Sequence, residues 1–97
     1  MYARIAVYEI TSGTSAEIVE TVRRPGGMLE IFQSSPGFLS YELAETMGKI
    51  VSMSRWESAA NADDATQAAA SFVKENLADK LALQENYVGE LIFSSMS

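Results

Sequence analysis

At 97 residues the chain has room for one hydrophobic core, and its 47% apolar and 21% charged residues exclude a disordered polypeptide. Seven Lys and Arg against thirteen Asp and Glu leave a net charge of −6, which speaks against a nucleic-acid surface built on clustered cations. With no cysteine and no histidine, the sequence excludes disulfides, thiol chemistry, thiolate or imidazole metal sites and the commonest general base.

Tyr2 to Thr11, rich in Ile, Val and Tyr, reads as a strand. Neither of its alternating sides (Ala3, Ile5, Val7, Glu9 and Tyr2, Arg4, Ala6, Tyr8, Ile10) is cleanly polar, so both faces are expected to be covered. Ser12-Gly13 marks a turn, and Thr14 with Glu17 forms a capping box for a helix whose apolar stripe is Ile18, Val19 and Val22. Pro25-Gly26-Gly27 interrupts it, Met28 to Gln33 reads as a second helical piece, and Ser34-Ser35-Pro36-Gly37 ends that piece.

Phe38 to Glu45 and Lys49 to Glu57 read as two strands joined by a short turn at Met47-Gly48. Ser58 caps an alanine-rich helix running to Asn76, with Ala65, Ala69, Phe72 and Val73 at helical spacing. Leu77, Leu81 and Leu83 suggest a short further helical piece, and Tyr87 to Phe93 a fourth strand. Ser94 to Ser97 reads as a frayed tail.

The order β-α-β-β-α-β implies an α+β, ferredoxin-like domain over residues 1–97, a four-stranded antiparallel sheet with its helices on one face. The other face would be bare in a monomer, so a first strand apolar on both sides points to a homodimer paired through the sheet faces. No apolar run approaches the roughly 18 residues of a membrane span, and no basic leader precedes an apolar stretch. A cytoplasmic protein without membrane or nucleic-acid partners is expected.

Two patches resemble the dimeric α/β-barrel superfamily, in particular proteins like the antibiotic biosynthesis monooxygenases. They are Pro36-Gly37-Phe38 at the start of the second strand and Ser54-Arg55-Trp56-Glu57-Ser58-Ala59 between the third strand and the long helix. The resemblance implies two sheets closing into a barrel across a two-fold axis, with a ligand cleft between each sheet and its helices. It places Trp56 on that cleft, with Ile50, Ser52 and Ser54 beside it by strand alternation. Arg4, Ala6 and Tyr8 of the first strand would face the same space. Haem-degrading relatives hold iron with a histidine on the second helix, which this chain lacks, and their first-strand asparagine falls at Ala6. The asparagine that cofactor-free, quinone-forming relatives carry four residues before the tryptophan is here Ser52.

The residues allow both sharp and bland readings. Trp56 would stack on an aromatic ligand or anchor the strand-helix junction. Tyr8 and Tyr41 would bind or deprotonate a phenolic substrate, though an ordinary tyrosine is a poor base at neutral pH and both also read as packing residues. Arg4 and Arg55 would stabilise an oxyanion or pair with a strand carboxylate such as Glu9, Glu42, Glu57 or Glu90; for Arg55 the ion pair is the leading expectation. Glu42 and Glu90 would act as bases only if buried. Asp63 and Asp64 near a helix start answer to the helix dipole and solvent rather than a metal. Phe32, Phe38, Phe72, Met28 and Met53 would line a pocket or fill a core.

Arg4, Tyr8 and Tyr41 are thus the candidate catalytic residues, and Trp56, Ser52, Ser54, Phe72 and Phe38 the candidate substrate contacts. No metal and no cofactor is expected. The resemblance implies a cofactor-free monooxygenase acting on a small hydrophobic, aromatic or polyketide-like ligand. The alternative is a non-catalytic ligand-binding or stress-response dimer.

Overall fold

The computed structural model describes residues 1–95. Its elements are β1 (Tyr2–Ile10), α1 (Ser15–Arg23), α2 (Met28–Gln33), β2 (Phe38–Thr46), β3 (Lys49–Trp56), α3 (Ala59–Asn76) and β4 (Leu81–Glu90). The strands form one antiparallel sheet in the order β2-β3-β1-β4, with the helices on one face, which is the ferredoxin-like arrangement expected. Proline and two glycines split the first helical layer at residues 25–27, as the sequence suggests.

Local signals in the chain set the helix starts. Thr14 Oγ1 accepts from the Glu17 amide and the Glu17 carboxylate accepts from the Thr14 amide, closing the capping box. Ser58 Oγ accepts from the Asn61 amide at the head of α3. The small side chains of Ala62, Ala65 and Ala69 let α3 lie close on the sheet, and all three are buried with Phe72.

Central β1 sets the two faces of the sheet. Arg4, Ala6 and Tyr8 stand opposite Ser54, Ser52 and Ile50 of β3, and all six are buried under the helices. On the other face Ile5 and Val7 stand opposite Met53 and Val51, half-buried and without a covering layer among the described residues.

The β4 region departs from the sequence reading. The leucines at 77, 81 and 83 do not make a helix; the chain turns over Leu77–Lys80, with Lys80 and Leu81 amides donating to the Leu77 carbonyl. Leu81 then enters the ladder opposite Ile10, because β1 offers its full length for pairing. The strand therefore starts six residues before Tyr87 and ends at Glu90 opposite Tyr2, where β1 runs out. The Leu91 amide pairs beyond the strand with the Met1 carbonyl, and Ile92 and Phe93 are exposed. Of the expected tail, Met96 and Ser97 lie outside the described residues.

Met47 and Gly48 form the two-residue turn between β2 and β3 with positive φ at both positions (51° and 75°), a type I′ geometry. Met47 is 94% exposed, so nothing repays its left-handed backbone. Met47→Asn is expected to raise stability by roughly 0.5–1 kcal/mol, read as a higher denaturant midpoint. An unchanged or lower midpoint would contradict the turn assignment.

Candidate ligand site

The two patches that carry the family resemblance meet in space. Gly37 has φ 78°, a left-handed conformation that glycine adopts without strain, and its carbonyl accepts from the Glu57 amide at 2.9 Å. A Cβ on Gly37 would run into the side chain of Asn61, whose Oδ1 accepts from Ser58 Oγ. Next to this junction Trp56 is fully buried. Its ring meets Phe32 edge-on at 5.2 Å and Phe38 at 5.5 Å, and its indole N–H donates to Ser54 Oγ at 2.9 Å. Phe32 also packs edge-on against Tyr41, with centroids 4.8 Å apart.

Beyond Tyr41 the space between sheet and helices opens into a chamber. Arg4 and Tyr8 of β1, Tyr41 of β2 and Ser52 of β3 supply its polar wall. Ile18 and Val22 of α1, Met28 of α2 and Phe72 of α3 supply apolar wall. A water-sized sphere has about 20 Å³ in which to place its centre, room for about one water molecule. A wider groove of about 280 Å³ by the same measure runs between α3 and β4. It shares Arg4, Tyr8, Val73 and Leu81 with the chamber and adds Ala70, Lys74 and Leu83.

Arg4 dominates the electrostatics. It is 2% exposed, its Nε donates to Asn86 Oδ1 at 2.9 Å and its Nη2 to Tyr8 Oη at 3.2 Å. Both partners are neutral groups. All thirteen Asp and Glu side chains are exposed, and the ion pair found among the described residues is Lys80–Asp79 at the surface. A buried guanidinium with no carboxylate is costly, and it lowers the free energy of any anion brought beside it.

Tyr41 is perturbed in the opposite sense to a base. Burial pushes its phenol well above the usual value of 10.0, and the neighbouring Tyr8 adds to this. The Arg4 charge and a hydrogen bond with Ser52 oppose the rise without cancelling it. Below pH 10 the phenol holds its proton in both folded and unfolded chains. Above it the unfolded chain ionises while the folded one does not, so stability falls as pH rises, by at most about 1.4 kcal/mol per unit. Tyr41→Phe is expected to flatten this alkaline limb of a stability-versus-pH curve; an identical slope in the variant would place the proton loss elsewhere.

The structure thus brings Arg4, Tyr8, Tyr41, Ser52 and Phe72 onto one chamber. Trp56, Ser54 and Phe38 line neither the chamber nor the α3–β4 groove: Phe32 and Phe38 pack against the indole in edge contacts, and Ser54 accepts its N–H. Arg55 forms no ion pair among the described residues: its cross-strand neighbours are Ala3 and Ser40, and its Nε is buried without a hydrogen-bond partner. Glu42 and Glu90 are exposed, and no cluster of three metal-ligating side chains exists among the described residues. No helix among them is long and apolar enough to cross a membrane. Asn86 escaped the sequence reading; a fourth strand begun at Leu81 would have placed it beside β1.

No curated protein matches the sequence. Among solved structures, a dimeric ferredoxin-like protein from an uncultured marine organism matches over 100% of both chains, with TM-score 0.71 and 11% identity. SnoaB, a cofactor-independent oxygenase from Streptomyces nogalater, matches over 99% of this chain and 98% of its own, with TM-score 0.70 and 16% identity. Likeness at such identities speaks for the fold alone. The model of the antibiotic biosynthesis monooxygenase family goes further, because it matches the sequence itself over residues 1–71, from β1 into α3: the chain belongs to that family.

Proposed function

We propose that the protein is a cofactor-independent monooxygenase that oxidises a small aromatic or polyketide-like substrate between sheet and helices, acting as a cytoplasmic homodimer. The observation that carries this reading is the buried Arg4 guanidinium, which has no carboxylate partner among the described residues, on the wall of an otherwise largely apolar chamber. A deprotonated phenol or enol is electron-rich enough to reduce dioxygen without a flavin or metal. The substrate anion passes one electron to O2, and the resulting superoxide and substrate radical join at carbon to form a C–O bond. The peroxide takes up a proton, then loses water to leave a carbonyl. The net change is a CH2 of the keto tautomer plus O2 to C=O plus H2O.

In this scheme Arg4 holds the substrate oxyanion, Tyr8 braces the guanidinium, and Tyr41, kept protonated, offers a hydrogen bond. The apolar wall from α1, α2 and α3 excludes water. The uncovered sheet face supports the dimer: Ile5, Val7, Val51 and Met53 are apolar, and Ser40 Oγ and Arg55 Nε are buried there without partners. Val51→Glu is expected to convert a dimer to a monomer in sedimentation; a wild-type chain that sediments as a monomer at micromolar concentration would sink this part.

The test of function is oxygen uptake with a panel of hydroxylated aromatics and polyketide-like enols, followed with isotopic dioxygen. One labelled oxygen atom in the product per O2 consumed supports the monooxygenase. Saturable binding with no loss of oxygen supports the second reading, a ligand-binding or stress-response dimer without turnover. One observation favours that second reading: the chamber wall holds no carboxylate or imidazole to take a proton.

A further inference from the structure

The substrate's charge state can be read from what surrounds the chamber. Its polar wall is Arg4, Tyr8, Tyr41 and Ser52, and the groove between α3 and β4 adds Thr66 and Lys74. The titratable or charged groups facing Arg4 are therefore Tyr8 on its own strand, Tyr41 on β2 and Lys74 on α3. From β3 and β4 come Ser52 and Asn86, and the α1 and α2 residues are Ile18, Val22 and Met28. None of these is a carboxylate or an imidazole. A simple phenol, with a pKa near ~10, would arrive neutral at pH 7 and find no group to take its proton.

Size sets a second limit. The inner chamber has room for about one water molecule, which fits one oxygen atom and not a ring. The groove has about 280 Å³ and reaches Arg4 and Tyr8 from outside, with Ala70 and Ala78 keeping it open and Val73 and Leu83 giving it apolar walls.

We infer that the ligand is an acidic enol or carbonyl-activated phenol, already ionised at neutral pH, whose anionic oxygen rests on Arg4 while its flat apolar body lies in the groove between α3 and β4. This deepens the proposal above and rests on its chamber. Arg4 selects the charge and the groove selects the body, with Lys74 at its side adding a second cation. Asn86 is a positioning residue, since it holds Arg4 through Nε and leaves other guanidinium donors for the ligand.

The test uses the intact protein and two probes that share a ring system, 2-hydroxy-1,4-naphthoquinone and its methyl ether, with binding followed by calorimetry. The ionisable probe is expected to bind at least tenfold tighter at pH 7.5. That preference should shrink as pH is lowered through the probe's own pKa. Arg4→Met, checked for folding by circular dichroism, should abolish it. Ala70→Leu, which narrows the groove, should weaken the hydroxyquinone at least fivefold. Equal affinity for the two probes, or no binding of the hydroxyquinone, overturns the inference even if neutral phenols consume oxygen. A strong preference for the enolate upholds the inference whatever the oxygen-uptake panel shows, and no uptake across that panel sinks the monooxygenase reading alone.

Discussion

Replacing Trp56 with alanine is expected to remove about 3–5 kcal/mol of stability, while Trp56→Phe removes less than half of that. The side chain is fully buried and meets Phe32 and Phe38 edge-on, at 5.2 and 5.5 Å. Each such pair adds roughly 0.5–1.5 kcal/mol beyond area burial, and phenylalanine keeps part of both. A domain of this length has a total stability of about 5–15 kcal/mol, so the alanine variant would lose about a fifth of it or more. Its Tm would fall by roughly 15–30 °C. Chemical denaturation of wild type and both variants checks this. A cost below about 1 kcal/mol for alanine would show that the junction of β3 and α3 does not depend on the indole. The phenylalanine variant tests function independently: it is expected to bind ligand like wild type, and a folded variant that has lost binding would put Trp56 on the ligand.

The same junction explains why the fold was legible. Pro36-Gly37-Phe38 and Ser54 to Ala59 are far apart in sequence, yet each contains a residue type that only one geometry explains. Gly37 supplies the left-handed backbone and the close approach to Asn61, Phe38 packs on Trp56, and Ser58 caps α3. Short-range chemistry of this kind is written locally, as are the capping box at Thr14 and the break at Pro25. Strand alternation also carried information. It grouped Arg4 with Ala6 and Tyr8, and Ser52 with Ser54; the family resemblance set the two groups toward one space, and the β1–β3 register has them on one face.

What the sequence hid depends on pairing across the sheet. Leu77, Leu81 and Leu83 have a spacing that suits a helix as well as a strand, and the choice falls to β1, whose whole length accepts β4 as a partner. A register shift between Val7 and Tyr8 then changes which β4 side chains face the helices, leaving Asn86 beside Arg4. No local pattern announces that contact across 82 residues. Trp56 shows a different limit: its type suits a ligand wall or a core, and its edge contacts with Phe32 and Phe38 come from packing that no local pattern announces.

The opposite pairing of stability and function is expected at Arg4. Arg4→Met should leave stability unchanged or raise it by up to about 1–4 kcal/mol, because an apolar side chain of similar length removes a buried charge that no carboxylate neutralises. The same variant should lower turnover of the ionised substrate by roughly 10²–10³-fold, the usual cost of losing one oxyanion donor. Asn86→Ala should behave differently. It leaves the charge in place without its acceptor at Nε, and is expected to destabilise by about 1.5–3 kcal/mol. Asn86→Asp completes the comparison: a carboxylate at hydrogen-bond distance from Nε should stabilise the fold and weaken the anionic ligand, since protein and ligand then compete for one guanidinium. Thermal unfolding and ligand titration on the three variants decide the matter. If Asn86→Asp gained stability and still bound the anion as tightly as wild type, the buried charge would not be what holds it. A loss of several kcal/mol in Arg4→Met would make Arg4 a structural residue. With the expected outcome, Arg4 is a site where stability is given up for a charge that a ligand uses.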